Sequence, residues 1–165
     1  KDSRLFNKDL GGGAILDVGC YPVSFFNLFC KKNEELKLIK SKSTLSFTGV
    51  DDESEAEISI GKNILASCKV SLKRYLDNSC TIYGKKGIIN IPSPWLPAEK
   101  SYIEVIKGNS YYKKFTSAPK SIYSIQIENV SNLFSKKNDN ILQLVNINES
   151  IKIMKVLDMW KENLL

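Results

Sequence analysis

From residue 36 to residue 116 the chain alternates apolar and polar positions with a period near two, in short runs rich in β-branched and aromatic residues. That pattern predicts strands near 37–48, 54–60, 63–73, 78–84, 87–92, 102–107 and 110–116. Gly49-Val50-Asp51-Asp52, Gly61-Lys62-Asn63, Gly84-Lys85-Lys86-Gly87 and Gly108-Asn109 punctuate the runs as turns. Connections this short leave no room for crossover helices, so the pairing is expected to be largely antiparallel and meandering. Pro92-Ser93-Pro94-Trp95-Leu96-Pro97 cannot continue a ladder and is expected to be a loop.

The pattern changes to a helical period at both ends. Residues 11–30 place Ile15, Val18, Phe25, Phe26 and Phe29 roughly on one stripe. Gly11, Gly12, Gly13, Gly19 and Pro22 oppose a helix there, at about 1 kcal/mol per interior Gly and about 3 for an interior Pro. A helix that tolerates such residues is expected to have something approaching its backbone closely. Residues 121–136 carry Ile122, Ile125, Val130, Leu133 and Phe134 at helical spacing. Residues 147–163 follow Asn146 as N-cap, with Glu149 completing a capping box. Ile147, Ile151, Met154, Leu157 and Trp160, with Ile153 and Val156 beside them, form the second stripe. Both stripes are expected to face a core, and 135–140, SKKNDN, reads as a polar loop. The order of helix, strands and helices gives an α+β fold, a largely antiparallel open sheet with helices packed on one face.

Composition narrows the function. The 165 residues suffice for one domain, 1–165, with a sizeable core. No apolar run reaches 18 residues, which argues against a membrane span. The opening Lys1-Asp2-Ser3-Arg4 reads as a position inside a longer protein. With no histidine in the sequence, Ser-His-Asp and Cys-His catalysis and His-containing zinc sites are excluded. Cys20, Cys30, Cys68 and Cys80 form no CxxC pair, so no metal site is expected, and they read as buried reduced thiols of a cytoplasmic protein. The net charge of +6 is spread over Lys37, Lys40, Lys42, Lys62, Lys69 and Lys73, interleaved with apolar residues. That fits a solvated sheet face better than the concentrated patch of a nucleic-acid binder.

Asp17 and Tyr21 stand four apart, which on a continuous helix puts a carboxylate and a phenol one turn apart on one face. Two roles are open on spacing alone. Tyr21 is a proton donor and acceptor, which requires a neighbouring cation because its ordinary pKa is about 10. Otherwise it is a half-buried tyrosine beside a locally bonded Asp17.

The run from Leu10 to Val23, LGGGAILDVGCYPV, resembles the signature of the C-terminal domain of the Gfo/Idh/MocA oxidoreductases. Gly49-Val50-Asp51, the turn Tyr83–Gly87, the loop Ile91–Trp95 and the helix start Tyr123–Glu128 resemble that domain in the same order. The resemblance covers nearly the whole chain. It implies the substrate and catalytic half of a nicotinamide-dependent dehydrogenase acting on a sugar, polyol or cyclic diol hydroxyl. In the branch resembling glucose–fructose oxidoreductase, xylose dehydrogenase and dihydrodiol dehydrogenase, the residue matching Tyr21 transfers the proton. A lysine from a Glu-Lys-Pro motif of the nucleotide-binding domain assists it, and Asp17 matches the accompanying acid.

Trp95 resembles a pocket-lining aromatic, against the alternative of a loop tryptophan packed on the sheet. Arg4 either reaches a substrate hydroxyl or carboxylate or is a plain surface arginine. GxGxxG and Glu-Lys-Pro are absent, so NAD or NADP is expected to be bound mainly by an N-terminal Rossmann domain outside these residues. Cys68, Val70 and Leu72 alternate with Ser67, Lys69, Ser71 and Lys73, which gives the sheet one helix-covered face and one more polar face, and a homodimer through the sheet is expected. The alternative is a noncatalytic ligand-binding or oligomerisation domain of the same fold.

Overall fold

The computed structural model describes residues 3–135 and 145–164. The chain divides into two compact units, Lys1–Leu76 with Val145–Leu165, and Asp77–Leu144. Among the described residues all fourteen buried apolar side chains belong to the first unit.

The first unit opens with two single 3₁₀ turns, Arg4–Phe6 and Lys8–Leu10. Helices α1 (Ala14–Asp17) and α2 (Cys20–Asn27) follow, then an antiparallel meander β1 (Leu36–Leu45), β2 (Asp51–Ile60) and β3 (Ile64–Ser71). The segment expected as one helix is thus two. The ladder is irregular at the break, where the Gly19 N–H donates to the Ala14 carbonyl five residues back. A Cβ at Gly19 would lie 2.4 Å from the Ile15 carbonyl oxygen, so only glycine passes there. Restarting at Cys20 also accommodates Pro22. It falls in the first turn of α2, where a missing N–H costs no ladder bond.

Period-two alternation sorts the faces of this sheet. Ser54, Ala56, Ile58 and Ile60 of β2 and Val70 of β3 point inward. The register sets Lys42 and Lys69 on either side of Glu55, and Lys40 beside Glu57, on the outer face. Several of the scattered lysines are paired, Lys40 with Glu57 at 2.7 Å and Lys69 with Glu55 at 2.5 Å and Glu53 at 3.2 Å. Arg74 joins Glu53 through Nε and Nη2 at 2.5 and 3.0 Å, and Arg74 and Lys69 hold the Glu53 carboxyl down at about 2.

Helix α4 (Ile147–Glu162) closes the first unit, with the expected Asn146–Glu149 capping box in place. Its buried face is Ile153, Val156, Leu157 and Trp160, which packs with Val23 and Phe26 of α2 and with Leu36 and Ile58 of the sheet. Ile147, Ile151 and Met154, expected on the core stripe, are exposed. The helix is rotated so that Lys152 can donate to the Glu34 carbonyl at 3.2 Å and approach Cys30 Sγ at 3.5 Å, and the i, i+3, i+4, i+7 face starting at Ile153 is the one turned inward.

The second unit is a second meander, β4 (Cys80–Gly84), β5 (Gly87–Ile91), β6 (Lys100–Lys107) and β7 (Ser110–Ser117), followed by α3 (Ile122–Ser135). The α+β class and antiparallel pairing are as expected, but the seven strands form two sheets rather than one. Cys80, Ile82, Ile89, Ile91, Ile103 and Val105 share one face by register and remain half-buried. The other face carries a polar ladder, in which Glu104 accepts from Asn90 Nδ2 and Tyr111 Oη, each at 2.9 Å. The core role expected for the stripe on α3 fails: Val130, Leu133 and Phe134 are exposed, Ile122 and Ile125 are half-buried, and the buried residue is Asn129, which donates to the Ile125 carbonyl. The amphipathic period is there, but among the described residues of this unit no packed layer buries it. Most of the expected polar loop at 135–140 lies outside the described residues.

Candidate functional site

Three of the four sequence-derived candidates, Arg4, Asp17 and Tyr21, fall on the first unit, and the glycine run explains how two of them meet. The Gly12 N–H donates to the Asn7 carbonyl and the Gly13 N–H to the Leu5 carbonyl, both at 2.9 Å. A Cβ at Gly12 would lie 2.5–2.8 Å from the carbonyl oxygens of Leu5, Asn7 and Arg4, so the first 3₁₀ turn rests directly on the glycine backbone. That brings Arg4 over α1, where its Nη2 meets Asp17 Oδ1 at 2.8 Å. The pair is open to solvent on the arginine side, at 62% exposure against 22% for Asp17.

Tyr21 lies on the first turn of α2, its N–H bonded to the Val18 carbonyl, and is 46% exposed. Among the described residues no hydrogen bond joins Asp17 to Tyr21. The break at Val18-Gly19 separates them onto two helices, and Asp17 is engaged by Arg4 instead. Trp95 belongs to the second unit, half-buried on the loop between β5 and β6.

Sequence reasoning missed the role of Asp51. It is 1% exposed, and its Oδ2 accepts from the Ile15 N–H at 2.7 Å, supplying from β2 the N-terminal cap that Gly13 cannot give α1. Burial raises its carboxyl above the ordinary value, opposed by the backbone N–H groups around it and by Lys161. The only signal in the sequence was its place in the Gly49-Val50-Asp51 run.

The glycine-rich turn does not fit a dinucleotide phosphate. Its Gly12 and Gly13 N–H groups are spent on Asn7 and Leu5, and the space beside the two glycines is filled by carbonyl oxygens and the Asp51 carboxylate. The close approach expected at these glycines is made by the protein itself. Among the described residues no cluster of three metal-ligating side chains occurs, and no helix is long and apolar enough to cross a membrane. The four cysteines are free and half-buried as residues, with the Cys68 thiol the one most shielded from water.

Residues 1–90 match the family model of the GFO/IDH/MocA C-terminal domain. The trans-1,2-dihydrobenzene-1,2-diol dehydrogenase of Xenopus tropicalis is 37% identical over 98 residues, covering 59% of this chain and 29% of that protein. The human enzyme of the same name is 29% identical over 119 residues, covering 70% of this chain and 33% of that one.

Among solved structures, a 3-ketoreductase from Actinomadura kijaniata in complex with NADP and TDP-benzene superposes with a TM-score of 0.82 at 15% identity, over 99% of this chain and 50% of that one. UDP-N-acetylglucosamine 3-dehydrogenase from Acidithiobacillus ferrooxidans gives 0.71 at 10% identity, over 92% and 46%. These two likenesses show the fold. Residues 1–90 are those of a GFO/IDH/MocA C-terminal domain, and the chain belongs to that family. It covers about half the length of those structural neighbours and a third or less of those curated relatives.

Proposed function

We propose that residues 1–165 form the substrate and catalytic domain of a nicotinamide-dependent oxidoreductase acting on a sugar, polyol or cyclic diol hydroxyl. The observation that carries this reading is the placement of Arg4, Asp17 and Tyr21 around one glycine-locked turn, inside the residues matched to the family. Tyr21 Oη takes the proton of the substrate hydroxyl on oxidation and returns it on reduction. A phenol of ordinary pKa about 10 needs a cation beside it for this. Arg4 already answers Asp17, so the cation comes from outside these residues, in keeping with the lysine that the family resemblance implies. Asp17 supports the tyrosine by anchoring the end of α1. Arg4, still 62% exposed, keeps donors for a substrate oxygen.

NAD or NADP supplies the hydride chemistry when bound. Because the glycine turn is filled, the cofactor is held by a Rossmann domain outside these residues. The half-buried apolar face of β4–β6 supports a homodimer through that sheet, rather than through the polar face of residues 67–73 from which one was expected. The free thiols support a cytoplasmic protein. The alternative, a noncatalytic domain of the same fold, is disfavoured because both the carboxylate and the phenol are present.

The test is Tyr21→Phe in the full-length enzyme. It keeps the ring and removes the titrating atom, so kcat should fall about 10²–10⁴-fold with folding and cofactor affinity nearly unchanged. Turnover within about twofold of wild type on the true substrate sinks the proton-transfer role.

A further inference from the structure

We infer that Asp51 is the positioning residue of this site: from β2 it fixes the glycine turn and the start of α1, and thereby where Arg4, Asp17 and Tyr21 stand. The inference rests on the catalytic reading above and deepens it. Helix α1 has four residues and cannot hold itself, because a single turn fixes more dihedral angles than its hydrogen bonds repay. Its leading N–H groups need an acceptor, and Gly13 brings no side chain. Asp51 Oδ2 fills that need at Ile15 N, 2.7 Å away.

The other oxygen locks the turn sterically. A Cβ on Gly13 would fall 2.1 Å from Asp51 Oδ1, so a side chain at position 13 and the carboxylate at 51 exclude each other. Gly13 also holds φ +116°, a value that side chains resist. The same turn donates its Gly12 and Gly13 N–H groups to the Asn7 and Leu5 carbonyls, and so carries the Arg4 turn as well. Asp51 therefore meets the same glycine turn that carries the Arg4 turn, and so bears on where the Arg4–Asp17 pair forms. A buried carboxylate is a costly way to fill space, and Lys161 on α4 offsets the cost only in part, which leaves direction as what the carboxylate contributes.

The experiment compares Asp51→Ala, Asp51→Asn and Gly13→Ala in the full-length protein. Steady-state kinetics are corrected for the folded fraction, and ¹⁹F spectra are recorded with fluorotyrosine, the Tyr21 resonance being assigned through Tyr21→Phe. Displacement of about 1 Å at a reacting group costs on the order of 10²-fold, so Asp51→Ala and Gly13→Ala should lower kcat of the folded enzyme about 10–100-fold and move the Tyr21 resonance. Asp51→Asn, which keeps an acceptor for Ile15 N–H, should recover most of both.

A purely structural role predicts lost stability with kcat per folded molecule within about twofold of wild type and an unmoved Tyr21 signal. That result overturns the inference, as does an Asp51→Asn variant no better than Asp51→Ala. If Asp51→Ala fails to fold, Asp51→Asn and Gly13→Ala decide by the same readouts. A wild-type protein with no oxidoreductase turnover would overturn the catalytic reading instead, and the Tyr21 resonance would still decide the role of Asp51.

Discussion

The Arg4–Asp17 pair allows a quantitative check, because its exposure fixes which electrostatic regime it belongs to. The perturbation is a double-mutant cycle with Arg4→Ala, Asp17→Asn and both together. The contact is a single Nη2···Oδ1 approach at 2.8 Å, with the guanidinium 62% exposed. Pairs of this kind contribute about 0.2–1 kcal/mol once solvent screening and side-chain ordering are included. The coupling energy from urea unfolding followed by far-UV circular dichroism should therefore stay below about 1 kcal/mol. For a domain of this size that corresponds to about 2–4 °C in Tm.

Salt should erase most of it, since the screening length shrinks from about 10 Å at 0.1 M to about 3 Å at 1 M. In the full-length enzyme Asp17→Asn should lower kcat less than Tyr21→Phe does, because Asp17 places the site and does not carry the proton. A coupling above about 2 kcal/mol, or one indifferent to salt, would mean that the pair is desolvated and that the solvent-open geometry derived above is wrong.

Burial pushes the Cys68 thiol up to about 12, so it stays protonated, and so non-nucleophilic, through neutral and mildly alkaline pH. Iodoacetamide at pH 8 should leave Cys68 unmodified in the native protein and label all four cysteines after denaturation, read by peptide mass spectrometry; native labelling of Cys68 at the rate of a free thiol would contradict its placement. For assembly, sedimentation of the full-length protein should show a dimer that Ile89→Lys, on the apolar face of β5, dissociates. A strict monomer across the concentration range would remove the sheet-mediated dimer.

Much of this molecule was legible locally. The alternation in 54–60 and the turn residues between runs reported the strands, because period two and positive-φ glycines are settled within a few residues. The Asn146–Glu149 capping box was legible for the same reason: both of its partners lie within one helical turn. The Asp17–Tyr21 segment could be picked out from its pattern, and so could the tension between its glycines and a helix. What relieved that tension could not. The acceptor for Ile15 N–H lies 36 residues away, and no pattern within residues 11–30 names it.

The same limit explains the other departures. Helix α4 carries apolar residues around much of its circumference, and only packing against α2 and the first sheet chose Ile153, Val156, Leu157 and Trp160 over Ile147, Ile151 and Met154. Periodicity on α3 announced an amphipathic helix without saying whether a partner layer exists, and none among the described residues of its unit buries it. Seven strand signals likewise could not say whether they pair into one sheet or two. The sequence by itself determined most of the strands, the C-terminal helix and its Asn146 cap, since those depend on energies between near neighbours, while Tyr21 was singled out by its resemblance to a family segment. The tertiary structure decided the faces, the sheet partition and the Asp51 lock, since those depend on segments that meet only after long loops close.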